Sequence, residues 1–307
     1  MIVAETPGGE GAPTLVAGPW TRAARQGAVE QESLQAFAEF YGRSMRARRW
    51  SPWHDLPVAE IREHASRLSS DTIHLIEGFL GIEEYVGDFV RGGLGGFQHS
   101  RTRRNLHLQW GAEEMRHGVA LEQVLLHTGA RTQDQLDAYH AQVTESQWSH
   151  TDHGGVDGPL GGAVYGMLQE RSTYVNYEQL RSRVRAECGL PARSTPEEAQ
   201  RGRQLGVAEV IRLIARDEIA HHGMYLKLVQ IYLRHFPEET LEKLQTVTSH
   251  FRMPALRLIP NRREFLGAVR RTRVFDADKY QTLVLGPVLR ALGLEGALPR
   301  APAQPTP

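Results

Sequence analysis

The chain has 307 residues, 40% of them hydrophobic and 23% charged, which is enough for one large domain or two small ones around a sizeable core. Lys+Arg and Asp+Glu balance at 36 each, so the net charge points to no nucleic acid and no anionic membrane, and the lone Cys188 excludes a disulfide framework or a Cys-rich metal site. The opening MIVAETPGGEGAP has neither the charged start nor the apolar stretch of a signal peptide, and no apolar run approaches the roughly 18 residues of a membrane span, so the expectation is a soluble cytoplasmic protein.

Residues 1–28, rich in Gly, Ala and Pro, are expected to form a loose arm, 29–292 a single helical domain, and 293–307 a disordered tail. A short amphipathic helix is predicted over about Glu32–Met45, ahead of four long segments at helical period. The first, about Asp71–Arg91, puts Ile76, Phe79, Leu80, Glu83, Val86 and Val90 on one face and is expected to end at Gly92, Gly93, Gly95 and Gly96. The second, about Arg103–Thr128, aligns Trp110, Glu114, His117, Leu121 and Val124. Thr132 with Gln135 forms a capping-box pattern for a connecting helix, and His153–Gly155 with Gly158-Pro159 breaks the chain again. The third, about Leu160–Glu187, aligns Ala163, Met167, Glu170, Thr173 and Tyr177. Gly189 and Pro191 stop it, and Thr195, Pro196 and Glu198 supply start signals for the fourth, about Pro196–Leu233, which aligns Val207, Ile211, Ile214, Glu218, His221 and Tyr225. A further helix is predicted over about Glu238–His250, and with little period-2 alternation anywhere the class is all-α.

Acidic and imidazole side chains interrupt the middle of those apolar faces. Glu83 and Glu170 come singly, while Glu114/His117 and Glu218/His221 form two Glu-x-x-His pairs, whose spacing turns both members to one side of a helix. With 26 Glu and 14 His in the chain, about one such pair arises by chance, so either alone is a weak signal. Two pairs alternating with two buried glutamates are a strong one, because burying four carboxylates without a cation is very costly. One Glu from each of two helices plus Glu-x-x-His from each of two others is the ligand pattern of ferritin-like di-iron bundles, so the expected fold is a ferritin-like four-helix bundle core with additional flanking helices, holding two Fe ions.

The surrounding segments resemble the soluble acyl-[acyl-carrier-protein] desaturases, the plastid stearoyl type and its bacterial relatives. The matching stretches are WSPWHDLP at Trp50–Pro57, GIEEY at Gly81–Tyr85, WGAEEMRHG at Trp110–Gly118, LQERSTY at Leu168–Tyr174, ARDEIAHH at Ala215–His222 and MPA at Met253–Ala255, in the family order over about 200 residues. The resemblance implies a homodimeric enzyme whose di-iron centre, reduced by ferredoxin, uses dioxygen to remove two hydrogens from an acyl chain on acyl carrier protein. It implies metal ligands Glu83, Glu114, His117, Glu170, Glu218 and His221, and it places Thr173 beside the cluster. It also implies that Asp217 supports His117 and links it to Trp50 as an electron route, and that Arg46, Arg48 and Arg49 offer a docking patch to the acidic carrier. Arg101, Arg103 and Arg104 form a second basic candidate, whereas His74, His107, His127 and His222 are not expected to be ligands.

Two departures from the plastid enzymes stand out: the glycine-rich Arg91–Phe97, where the family has bulkier residues shaping the acyl pocket, and a longer connection over Cys188–Arg203. Neither touches a ligand. The competing readings are a di-iron hydroxylase or N-oxygenase, iron storage, and a radical-generating reductase subunit, which would need a tyrosine by the cluster, with Tyr85, Tyr174 and Tyr225 near it in sequence. Chain length, double-bond position and the choice between acyl carrier protein and coenzyme A stay open at this level.

Overall fold

The computed structural model describes residues 21–149, 156–191 and 205–296, and among them every regular element is helical. Helix α1 (Arg22–Ala47) is followed by the short α2 (Val58–His64), α3 (Ser70–Glu83), α4 (Val86–Gly96), α5 (Arg101–His127) and α6 (Gln133–Thr144). Then come α7 (Gly158–Glu187), α8 (Val207–His235), α9 (Pro237–His250) and α10 (Arg262–Thr272). A π-helical stretch, Tyr280–Leu285, runs into the terminal α11 (Gly286–Ala291). Helices α3, α5, α8 and α7 pack in a ring, each against the next, and α7 lies along α8 for most of its length. Helix α1 covers α5 and α8, α4 covers α5 and α7, α9 covers α7 and α8, and α10 covers α3.

Local chemistry starts these helices where the sequence predicts. Ser69 and Ser100 accept the N–H of Thr72 and of Arg103 to cap α3 and α5, and Thr132 with Gln135 closes the expected capping box on α6. Gly189, in the left-handed region at φ 69°, follows the C-cap of α7. The start signals Thr195, Pro196 and Glu198, the break His153–Gly155 and most of the long connection lie outside the described residues, as do most of the expected arm and tail.

Two boundaries differ from expectation. Helix α1 begins at Arg22, inside the expected arm, because Thr21 caps it and three of its residues reach back to the bundle. Arg22 pairs with Glu239 at 2.6 Å, Arg25 donates to the His235 carbonyl, and Val29 is fully buried. The helix expected over 71–91 is two helices, broken at Glu84–Tyr85 directly after Glu83, where the buried Tyr85 sends its hydroxyl to the carbonyls of Val143 and Leu258. The glycines therefore lie within α4 instead of ending a helix. Gly93 explains why: a Cβ there would lie 2.0 Å from His107 Nε2, so its absence admits the His107 ring between α4 and α5.

Candidate metal centre

The four ring helices bring the six expected ligands together in the core. Glu83 enters from the last turn of α3, Glu114 and His117 from α5, Glu170 from α7, and Glu218 and His221 from α8, none more than 5% exposed. They form two groups, Glu83/Glu114/His117/Glu218 and Glu114/Glu170/Glu218/His221, within each of which one ligand atom per residue lies within 4.8 Å of the others. Glu114 and Glu218 belong to both groups. That is the arrangement of two neighbouring cations sharing two carboxylates, each completed by one histidine and one further glutamate.

Hydrogen bonding shows which atoms are left for a metal. His221 Nε2 is hydrogen-bonded to Glu113 Oε2 at 2.8 Å, whereas His117 Nε2 lies 3.6 Å from Asp217 Oδ2, within ion-pair reach but without a hydrogen bond. A carboxylate on one ring nitrogen fixes the proton there and turns the other nitrogen, Nδ1, into a lone-pair donor. Those Nδ1 atoms face carboxylate oxygens: His221 at 2.9 Å from Glu114 and 3.5 Å from Glu170, His117 at 3.2 Å from Glu218 and 3.4 Å from Glu114. Both Nδ1 atoms and one oxygen each of Glu114, Glu170 and Glu218 are buried without a hydrogen bond. Ligand-type atoms converging on a shared buried space without hydrogen-bond partners are what a cation satisfies, and imidazole with carboxylate suits iron. The residues present fit a two-iron centre.

Ionisation points the same way. Burial, and then the Glu114 charge, push Glu83 and Glu218 well above the usual carboxylate range and Glu170 upward too. Glu114 is opposed by the same burial, but the His117 and His221 imidazoles beside it hold it below that range. Four carboxylates cannot all be charged here unless positive charge sits among them.

The surrounding contacts explain how the ligands are held. Tyr177 donates to Glu83 Oε1 at 2.7 Å and Trp110 Nε1 to Glu170 Oε1 at 2.9 Å. Neither role was assigned from the sequence, although Tyr177 stands seven residues after Glu170 and Trp110 four before Glu114, on the ligand-bearing faces. Trp50 donates to Asp217 Oδ2 at 2.8 Å and stacks on the His117 ring at 6.3 Å, so Trp50, Asp217 and His117 form one contiguous chain. Glu113, the residue before Glu114, is hydrogen-bonded to His221 Nε2 on the opposite helix, the counterpart of Asp217 facing His117.

Three expectations change or narrow. Arg48 is not a docking residue: only 6% exposed, it packs over the Phe40 ring and lies 3.3 Å from Glu113 and 4.0 Å from Asp217, neutralising those two carboxylates, while Arg46 and Arg49 remain exposed. Thr173 sits one turn past Glu170, but its hydroxyl donates to its own helix at Gln169 O (3.0 Å). Arg103 is buried, unlike Arg101 and Arg104. Of the histidines set aside, His222 is hydrogen-bonded to Met167 O and His107 to Phe89 O.

On the far side of Trp110 lies a narrow cavity of about 30 Å³, lined by Phe89, Phe97, His107, Trp148, Tyr165 and Tyr225 among others. Gly162 and Gly166, two turns and one turn before Glu170, form its floor against Phe97 and Tyr225. Trp110, which lines this slot, donates to Glu170.

Residues 96–292 match the family model described as fatty acid desaturase. Over 211 residues the chain is 25% identical to the chloroplastic stearoyl-[acyl-carrier-protein] 9-desaturase of Gossypium hirsutum, covering 62% of this chain and 48% of that one. Over 212 residues it is 26% identical to the chloroplastic palmitoyl-[acyl-carrier-protein] 4-desaturase 2 of Ophrys sphegodes, covering 67% and 51%. The chain thus spans about half the length of the curated relatives it matches. The X-ray structure of DesA2 from Mycobacterium tuberculosis H37Rv, named as a candidate acyl-ACP desaturase, superposes with a TM-score of 0.57 at 18% identity, covering 88% of this chain and 96% of that one, and supports the fold. Four ring helices carrying this ligand set, together with a family match across most of them, show that the chain belongs to the fatty acid desaturase family.

Proposed function

We propose that the protein removes two hydrogens from adjacent carbons of an acyl chain carried on acyl carrier protein, with dioxygen as the oxidant and a ferredoxin as the electron source. The balance is one CH2–CH2 unit, O2, two electrons and two protons giving one CH=CH unit and two waters. The observation that carries this reading is the pair of ligand groups sharing Glu114 and Glu218 beside an aromatic slot. Two irons held by Glu83, Glu114, His117, Glu170, Glu218 and His221 would supply the oxidising chemistry.

The chain's own residues do the rest. Tyr177 and Trp110 hold Glu83 and Glu170 in orientation, Glu113 keeps the His221 proton on Nε2, and Asp217 faces His117 Nε2 at 3.6 Å. The aromatic walls of the slot keep bulk water away from Trp110, which donates to Glu170. Trp50 and Asp217 offer a contiguous path for electrons to His117. Exposed Arg46 and Arg49 remain as the docking patch for an acidic carrier. Exposed Leu34, Tyr41 and Met45 on α1 beside Leu108 and Met115 on α5 form an apolar face suited to a second copy of the chain. No helix of the described residues is long and apolar enough to cross a membrane.

The test is product mass. Iron-loaded protein is supplied with ferredoxin, its reductase, NADPH, air and a panel of acyl-carrier proteins, with Glu114→Ala as the blank. Loss of two hydrogens, absent in the variant, is the expected result. A gain of one oxygen would instead mark a hydroxylase, and no acyl change from a fully iron-loaded protein would sink the acyl-carrier reading.

A further inference from the structure

Trp53 is the most exposed large apolar side chain among the described residues, at 63%, and it stands three residues after the buried Trp50. A lone exposed aliphatic residue is ordinary on a protein surface, whereas a whole indole held outward by its own turn is not. The turn is fixed. Ser51 gives its N–H to Asp55 Oδ2 at 2.8 Å, and its carbonyl accepts the N–H groups of His54 at 3.3 Å and Asp55 at 3.0 Å. The Trp53 N–H goes to Ser51 Oγ at 3.3 Å, and Pro52 and Pro57 stiffen the backbone on either side. The chain of contacts that runs from His117 through Asp217 to Trp50 comes to the surface at this turn.

The surroundings are basic. Arg43, Arg46 and Arg49, three residues apart at the end of α1 and just beyond it, are exposed and have no carboxylate partner among the described residues. Arg116 lies over the Trp50 ring at 5.4 Å, and Arg216 donates to the Ala47 carbonyl at 3.3 Å, both partly exposed. Glu113 and Asp217 are buried at this corner and matched by Arg48 and Arg116, which leaves Asp55 as the one exposed acid between residues 43 and 57. An aromatic anchor among unpaired guanidiniums has the composition of an interface hot spot and fits a partner with an acidic face. The partner served by this place is the one that must come close to Trp50, a protein that delivers electrons.

We propose that Trp53 anchors a small acidic electron-carrier protein, drawn in by the arginines of α1, so that its redox centre is seated over Trp50. This rests on the ferredoxin-driven reading above and names the surface on which the reductant is received. Each visit moves one electron from the reduced donor to the iron pair. Two visits supply the two electrons of the balance above, and the indoles end each visit unchanged. Arg46 and Arg49 are also the contact proposed for the acyl carrier protein, so the experiment sets the two partners against each other.

The iron-loaded, oxidised full chain is mixed with a reduced plant-type ferredoxin, without acyl substrate, and oxidation of the ferredoxin is followed by its visible absorbance. Binding of oxidised ferredoxin, and separately of acyl carrier protein, is measured by calorimetry. Trp53→Ala is expected to weaken ferredoxin binding about 10-fold or more and to slow electron uptake from limiting ferredoxin by a similar factor. Trp53→Phe should recover much of both. Reduction by dithionite, which needs no docking, should run at the wild-type rate in Trp53→Ala. Ferredoxin binding unchanged in Trp53→Ala overturns the proposal. A loss shared by dithionite overturns it too, because Trp53 would then be holding Trp50 in place. Weakened binding of acyl carrier protein alone also overturns it, because the corner would belong to that partner. Each of these three results leaves the desaturase reading standing. A wild-type protein that neither binds ferredoxin nor takes electrons from it removes the ferredoxin of that reading and this inference together.

Discussion

A missing methyl group decides what stands in the wall of the slot. Because Gly93 has no Cβ, His107 lies between α4 and α5, stacked on Trp110 at 4.9 Å with its ring 13° from parallel. Gly93→Ala should therefore cost about 1–3 kcal/mol by overpacking, read as a lower denaturant midpoint. Gly95→Ala, two residues away with nothing within 4 Å of its Cβ position, should instead stabilise by roughly 0.5–1 kcal/mol. A glycine run read along the sequence as a helix stop thus contains one position fixed by packing and others that are free. The sequence made the six clustered glutamates and histidines legible because each sits at helical spacing on an apolar face, where a charged residue is out of place. Arg48 was not legible in that way. It follows Arg46 in a basic run and looks like surface, and only the approach of α1 to α5 and α8 shows that it turns inward toward Glu113 and Asp217.

Among the elements, α6 is tied to the ring by charge as well as by Leu136, Tyr139 and Val143. His140 lies 3.2 Å from Glu84 and 3.7 Å from Glu122, and these two carboxylates hold its pKa up to about 10 against the cost of partial burial. The folded value is above the unfolded value of about 6.5, so the contribution is complete below that pH and lost as pH rises toward 10. Thermal melts should show stability declining across this window, and His140→Gln should flatten the decline. Partial exposure limits the effect to about 1 kcal/mol or less. Helix existence was legible from apolar period and caps, and α5, α6 and α7 start within a few residues of where those signals place them. The break after Glu83 was not, because Tyr85 answers to carbonyls of Val143 and Leu258, far away in sequence. The early start of α1 likewise depends on partners more than 200 residues away, Glu239 and His235.

For the whole molecule, the cluster makes folding and metal content one question. Four buried carboxylates repel one another, and three respond by holding protons more tightly than usual. Growth without iron, or treatment with a strong chelator, should lower the melting temperature, and ferrous iron should restore it. At an iron level near 100 times the dissociation constant the gain is about 3 kcal/mol, or a few degrees for a chain of this size. A melting temperature indifferent to iron would mean that the acids are neutralised from within.

The supports of the two histidines cross over. Asp217 on α8 faces His117 on α5 and holds the Trp50 indole stacked on its ring, and Glu113 on α5 is hydrogen-bonded to His221 on α8. Cut between α6 and α7, the chain divides into two pieces with equal endowments, each holding one lone glutamate and one Glu-x-x-His pair. Each piece nevertheless lacks the acid that aims its own imidazole, because that acid stays with the other. The symmetry of the inventory thus hides a mutual dependence, and a working site belongs to neither half until the two have closed on each other.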